Sequence, residues 1–316
     1  MAEITEDPAN EGRHAPGDER YWNESWYLDF ASDDGRLGGY VRTGLYPNLG
    51  VCWYWACLVG EGRPLVTVID HEVAIPATPA LAVRGDGLWT DYVVETPWRH
   101  VSLGLEAFGV ALDDPAATYG DLRGDRTALG FELDWETQGE PFPFPLGITR
   151  YEVPCRVHGE ILVADEKIEF EGSGQRDHSW GVRDWWVMSH NWSEGALEDG
   201  TRFHGTHAMP GWGDWSIGYV QPPGGTPQGD FGSYHTDTEF DPEGLPVTAH
   251  MTMPGLDLQV ESVAHAPVLL TSPEGELSRF PRSLVRYQEA DGRKGVGWIE
   301  YGQPQKASPH VLPPPV

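Results

Sequence analysis

Gly172-Ser173-Gly174-Gln175-Arg176-Asp177-His178-Ser179-Trp180-Gly181-Val182-Arg183-Asp184-Trp185-Trp186 is the stretch on which the reading of this chain turns. It continues the alternating run Lys167-Ile168-Glu169-Phe170-Glu171, and together they predict an extended strand broken at Gly181. Successive side chains on a strand point to opposite faces. Gln175, Asp177 and Ser179 therefore share one side, and Arg176, His178 and Trp180 the other. A strand in a sheet ordinarily keeps one face apolar for the core. Polar and titratable groups on both sides predict instead a wall between two wet or functional compartments. An Arg-Asp ion-pair lattice stapling neighbouring strands would produce the same pattern without chemistry.

Outward from this stretch the chain reads as strands and turns. Glu24–Phe30 and Leu37–Leu45 flank Asp33-Asp34-Gly35, a strong hairpin signal. Val51–Val59 is nearly all apolar and predicts a strand buried on both faces or facing an interior pocket. Further strands are expected at Pro64–Ile75, Leu81–Val83, Leu88–Thr96, His100–Ala107 and Thr127–Glu136, with a short helix or irregular loop over Asp113–Asp121. Glu140-Pro141-Phe142-Pro143-Phe144-Pro145 can neither form a helix nor pair inside a sheet, so it reads as a linker. Beyond it, strands are expected at Thr149–Val163, Thr201–Met209, Asp214–Val220, Gly232–His235, Thr248–Met253, Leu256–Glu261, Ser283–Glu289 and Gly295–Tyr301. Asp291-Gly292 closes the last hairpin.

No long amphipathic helical period appears, so the class is all-β, with two tandem antiparallel barrels or sandwiches. The expected division is a loose arm over residues 1–21, a first β domain over 22–140, a Pro-rich linker over 141–147, a second β domain over 148–302, and a tail over 303–316. Barrels of this size commonly hold one apolar ligand in the mouth.

Lys plus Arg number 21 against 49 Asp plus Glu, and the resulting formal net charge of -28 repels nucleic acid and anionic membrane surfaces. The expected partner is an apolar small molecule, with a homodimer left open. Cys52, Cys57 and Cys155 include no short-spaced pair, and Cys52 and Cys57 fall on opposite faces of one strand. They are read as reduced, buried thiols. The amino-terminal residues show no basic region followed by an apolar run, and no apolar stretch approaches the ~20 residues of a membrane span. A cytoplasmic location is expected. The 14 tryptophans predict either a thick β core or a pocket lined by rings.

Chemistry has few places to start. His204 and His207 are three apart and diverge on a strand, and Asp177 and His178 diverge as neighbours, so no metal is expected from these pairs. Ser179 lies on a strand rather than in a nucleophile elbow, and Gly172-x-Gly174 lacks the third glycine and the helix of a dinucleotide site. What remains is acid–base work with no cofactor. Asp177 has Trp180, Trp185, Trp186 and Trp192 near it in sequence. A carboxyl group against indole rings loses hydration, and its pKa rises toward values useful for proton donation. Arg176 or Arg183 beside it would pull the other way.

Gln175-Arg176-Asp177-His178-Ser179-Trp180-Gly181 resembles the Y-x-D-H-N-x-G strand of the carotenoid 1,2-hydratase (hydroxyneurosporene synthase) and AttH-like superfamily. Asn23-Glu24-Ser25, Tyr54-Trp55 and Cys155-Arg156-Val157 are similar to segments of uncharacterised bacterial proteins of that type, and the resemblance runs from about Trp22 to Tyr301. It implies two tandem lipocalin-like antiparallel β-barrels. The motif's aspartate, taken as proton donor to an isolated C=C bond, falls on Asp177. Gln175 stands where the motif has tyrosine, and Ser179 where it has asparagine.

The resemblance therefore implies a cofactor-independent lyase or isomerase, a hydratase or cyclase, protonating a terpenoid or other unsaturated lipid between the barrels. Asp177 is the expected acid, oriented or tuned by His178 or Arg176. Trp53, Trp55, Trp180 and Trp185 would line the pocket, with Gln175, Arg183, Asp184, His204 and Tyr219 also on the substrate side. A carrier of an apolar small molecule that does no chemistry is the competing expectation.

Overall fold

β1 (Trp22–Ser32) is buried along nearly its whole length, and the first sheet is organised around its two neighbours. On one side it pairs with β2 (Leu37–Tyr46), the other arm of the Asp33-Asp34-Gly35 hairpin. On the other it pairs antiparallel with β11 (Glu166–Val182), so that Tyr27 lies opposite Asp177 and Trp26 opposite His178. The computed structural model describes residues 6–144, 148–208 and 215–305.

From β2 the sheet continues through β3 (Val51–Gly60) to β4 (Leu65–Val73), and from β11 through β10 (Thr149–Val163) and β8 (Asp125–Thr137) to β7 (His100–Leu112). Leu65 of β4 pairs with Leu112 of β7, which closes the ring into a barrel. β5 (Leu81–Gly85) and β6 (Leu88–Thr96) extend the sheet from β7, and β9 (Phe142–Pro143) lies on the edge of β10. The second sheet runs β15 (Gln228–Phe231), β14 (Trp215–Gln221), β13 (Arg202–Ala208), β12 (His190–Leu197), β22 (Lys294–Pro304), β21 (Arg282–Glu289), β18 (Leu256–His265), β17 (Pro246–Met253), β16 (His235–Phe240). β20 (Leu277–Phe280) pairs with β22 and carries β19 (Val268–Thr271). Among the described residues every ladder is antiparallel, and both sheets are curled, as the all-β two-barrel expectation requires.

Alternation along β1 divides the apolar residues between two cores. Trp26, Leu28 and Phe30 enter the barrel with Phe131, Trp135, Tyr151 and Val153. Tyr27 and Ala31 face outward, where Tyr40, Trp53, Trp55, Trp185, Trp192 and Trp298 form a second core in the seam between the sheets. The tryptophan load is therefore mostly structural, and several of its indole N–H groups are used: Trp135 Nε1 donates to the Asp29 carbonyl at 2.8 Å and Trp298 Nε1 to the Phe30 carbonyl at 3.1 Å. Cys52 points into the barrel and Cys57 into the seam; both, with Cys155, are free and buried, as expected.

At Asp29 the ladder between β1 and β11 is interrupted, and the Asp29 carboxylate accepts the Gln175 N–H at 2.7 Å in place of a backbone carbonyl. A Cβ at Gly174 would stand 2.1 Å from the Asp29 carbonyl oxygen, so only glycine fits there.

Two expectations are corrected. Strands after the Pro-rich segment, β10 and β11, belong to the first sheet, so the change of sheet falls between Val182 and His190 rather than at 141–147. Proline stiffness is a local property, whereas sheet membership follows the long-range β1–β11 pairing. Nor is the arm loose from residue 6 to 21: Pro8–Glu11 forms a 3-10 turn capped by Asp7, and Glu11 is buried. Residues 1–5 and the tail from 306 lie outside the described residues. The Asp113–Asp121 expectation is met by a 3-10 turn over Pro115–Tyr119.

Candidate active site

β11 separates two polar environments. On its barrel side, Arg176 Nη1 donates to Glu11 Oε1 and Oε2 at 2.8 and 3.1 Å. His178 Nε2 lies 2.9 Å from Glu24 Oε1, with its Nδ1 2.9 Å from the Asn10 carbonyl. His14 reaches the same Glu24 oxygen at 2.7 Å and stacks on Trp180 at 3.7 Å. Burial opposes the ionised form of Glu24, but the hydrogen bonds from His14 and His178 outweigh it and lower its pKa. His14, Glu24 and His178 are also, among the described residues, a group whose ligand atoms lie within 4.8 Å of one another. Their mutual hydrogen bonds clamp the amino-terminal arm over the barrel.

Asp177 faces the seam. On the neighbouring strands Tyr27 and Glu152 lie opposite it. Two carboxylates side by side repel, and the residue that bridges them is Arg150. Its Nε donates to Glu152 Oε1 at 2.6 Å and its Nη2 to Asp177 Oδ2 at 2.9 Å. Burial pushes the Asp177 carboxyl up to about 7, against the pull of Arg150 and, more weakly, of Arg183 and Arg42. Glu152 is raised as well, by burial, and Arg150, paired to both acids, is held protonated. Glu152 also accepts from Gln175 Nε2 at 2.7 Å and Trp192 Nε1 at 3.2 Å.

Beside Asp177 is a cavity of about 20 Å³, lined by Ser25, Tyr27, Arg42, Arg150, Asp177, Arg183, Trp185, Trp192, Arg282 and Glu300. That volume admits about one water molecule. The expected hollow of indole rings is thus corrected: guanidinium groups line it as much as rings do, because β2, β10 and β21 each bring an arginine to the seam. A larger cleft of about 1060 Å³ opens elsewhere, among Asp33, Arg156, Arg202 and Tyr287, and does not include Asp177.

Of the residues singled out from sequence, Asp177, Arg183 and Trp185 meet at this cavity. His178 and Arg176 do not orient or tune Asp177; as adjacent strand residues they project into the barrel. Trp180 lies on their side, against His14. Trp53 packs on Tyr46 and Trp186 without reaching the cavity, and Trp55 stands behind it as the ring under Arg42. Asp184 accepts the Trp186 N–H at 3.0 Å and shapes the turn instead. Gln175, Tyr219 and His204 form a second rank: Tyr219 Oη donates to Gln175 Oε1 at 3.1 Å, and His204 Nε2 lies 3.8 Å from Glu152, kept neutral by burial and by Arg150.

Sequence reading missed Arg42, Arg150, Arg282, Glu152 and Glu300. A signal existed in two cases. Arg42 is a lone charge in the run Tyr40-Val41-Arg42-Thr43, and Arg150 and Glu152 are spaced two apart on a strand, hence on one face.

Fold and site together define an all-β protein of two curled antiparallel sheets with an acid–guanidinium centre buried in the seam. By sequence the chain belongs to the family described as "Domain of unknown function (DUF7064)", which it matches over residues 7–305. No curated protein matches the sequence. Among solved structures it is similar in fold to AttH (NE1406) from Nitrosomonas europaea, with a TM-score of 0.66 and 13% identity over 96% of this chain and 98% of that one. Kievitone hydratase from Nectria haematococca gives 0.57 and 11% identity over 89% and 88% of the two chains. CghA, solved with Sch210972, gives 0.54 and 10% over 90% and 88%. The resemblance to AttH-like two-barrel proteins is thereby borne out at the level of fold.

Proposed function

We propose that this protein is an acid–base enzyme of the hydratase or cyclase type, in which Asp177 protonates a C=C bond of an unsaturated, terpenoid-like substrate admitted between the two sheets. The observation that carries the reading is Asp177 itself, a buried carboxyl with a pKa raised to about 7 that faces a water-sized cavity. Such a group still holds a proton near neutrality, when an exposed aspartate has lost it. Arg150 occupies Oδ2, and no hydrogen bond among the described residues engages Oδ1.

In the forward step the carboxyl proton and the π electron pair form a new C–H bond, leaving the neighbouring carbon electron-deficient. Water adds there and returns its proton to the Asp177 carboxylate. In ring closure a second C=C bond supplies the electrons, and the Asp177 carboxylate takes back a proton from the carbon adjacent to the new cation, which re-forms a C=C bond. The segment between β11 and β12 carries Arg183 and Trp185 to the edge of this cavity. The likeness in fold to a hydratase supports this class.

The test is Asp177→Asn, which keeps shape and removes the acid. Turnover of unsaturated terpenoids, followed as gain of one water mass or as isomer formation, should fall by about 10²–10⁴-fold. Survival of turnover in that variant refutes the reading. Wild-type activity should decline as pH rises through about 7, as the acid form is lost.

A further inference from the structure

The cavity beside Asp177 holds more guanidinium than carboxylate. Asp177 and Glu152 share Arg150, and Glu300 pairs with Arg282. Arg42 and Arg183 remain, and among the described residues neither joins an ion pair. Arg42 is 3% exposed, with Nη1 buried and unpartnered and Nη2 reaching only the Tyr46 hydroxyl at 3.5 Å. Arg183 is 9% exposed, and its Nη2 reaches only Ser179 Oγ at 3.4 Å. Burial, with Arg150 and Arg42 nearby, lowers the Arg183 pKa to about 9. Buried charge without a counter-ion is costly, and two such charges at one cavity are not explained by packing.

Ring stacking fixes how they are presented. The Arg42 guanidinium lies 4.6 Å from the Trp55 ring centre and that of Arg183 4.4 Å from Trp185. A guanidinium stacked by its face keeps its in-plane N–H fork free for an oxyanion. The cavity they line fits one oxygen-sized group, too little for the tetrahedral oxygens of a phosphate.

We propose that Arg42 and Arg183 form the recognition site for a carboxylate on the substrate, one oxygen of which enters the cavity beside Asp177. The inference rests on reading this cavity as the substrate site, and it narrows the substrate class to unsaturated carboxylic acids. It also answers an electrostatic objection to the chemistry. A carbocation forming beside unmatched guanidiniums is disfavoured, whereas a bound carboxylate offsets them. The same negative charge disfavours ionised Asp177 and so keeps the acid protonated.

Titration calorimetry of the full-length protein tests the site without turnover, with sodium acetate as the probe, acetamide as its neutral isostere, and inorganic phosphate as the bulkier anion. Acetate should bind and acetamide should not. Arg42→Gln and Arg183→Gln should each weaken acetate by about tenfold or more, and phosphate should bind no better than acetate. Arg42→Lys retains the charge but loses the fork, and should weaken acetate less than Arg42→Gln; circular dichroism confirms folding of each variant. Equal heats for acetate and acetamide, or acetate binding unchanged in both glutamine variants, overturn the proposal. So does tighter phosphate binding that Arg42→Gln abolishes. Asp177→Asn should retain acetate binding. Turnover surviving in that variant with acetate still bound would remove the acid and leave the anion site; lost turnover with no acetate site would do the reverse.

Discussion

The two faces of β11 carry the same kinds of group and use them differently. On the barrel face each buried basic side chain meets a carboxylate: Arg176 has Glu11, and His178 shares Glu24 with His14. On the seam face the acids are shared out, and Arg42 and Arg183 are left over beside a water-sized cavity. The first face behaves as the ion-pair staple that a polar strand can be. The second keeps electrostatic energy unsatisfied, which is how a site made for a ligand differs from a lattice made for stability.

The contrast should break most visibly at Glu11. Glu11→Ala leaves Arg176 buried without its counter-ion, and urea unfolding should show a loss of about 3–5 kcal/mol. Next in size is Gly174→Ala, which forces the backbone of β1 or β11 to shift away from the Asp29 carbonyl. The same measurement should give about 1–3 kcal/mol of destabilisation there. Arg183→Met should have the opposite sign to Glu11→Ala or none, with stability unchanged within about 1 kcal/mol or raised, since it removes an unmatched charge. Comparable losses at Glu11 and Arg183 would abolish the distinction between the faces.

Glu300 and Asp177 sharpen the comparison through pH. Burial raises the Glu300 pKa, but Arg282 and the hydrogen bond from His190 outweigh burial and hold it at about 2, below the ordinary 4.5. Its contribution is fully present above pH 4.5 and is lost as pH falls through about 2. Asp177 has the opposite sign: its raised pKa favours the fold at low pH, and that contribution is lost as pH rises from 3.8 through about 7. Measured relative to wild type across pH 2–8, Glu300→Gln should therefore lose stability as pH rises from about 2 to 4.5, and Asp177→Asn should gain it as pH rises from 3.8 to about 7.

The two-faced strand was legible because strand alternation is a local rule, and Gln175 to Trp180 obey it. The same rule already forbade His178 and Arg176 from touching Asp177, a consequence the resemblance obscured. β12 shows no apolar alternation over His190-Asn191-Trp192-Ser193-Glu194 because both its faces are buried, with Asn191 and Ser193 hydrogen-bonded on one and His190 and Trp192 on the other. Arg150 could not be matched to Asp177 by position alone, since the pairing depends on strand register across 27 residues. Arg282 and Glu300 arrive from the second sheet, beyond any local signal.

The pairing of β1 with β11 has a consequence for how the molecule is made. Its first strand must wait for a partner encoded about 150 residues downstream, which at ~5–20 residues per second of synthesis is on the order of ten to thirty seconds. Until then an open edge that includes Tyr27 and Leu28 emerges from the ribosome unprotected. A fragment ending at residue 140 would keep that edge permanently and should be recovered as aggregate, whereas one ending just past Val182 contains every strand of the closed ring.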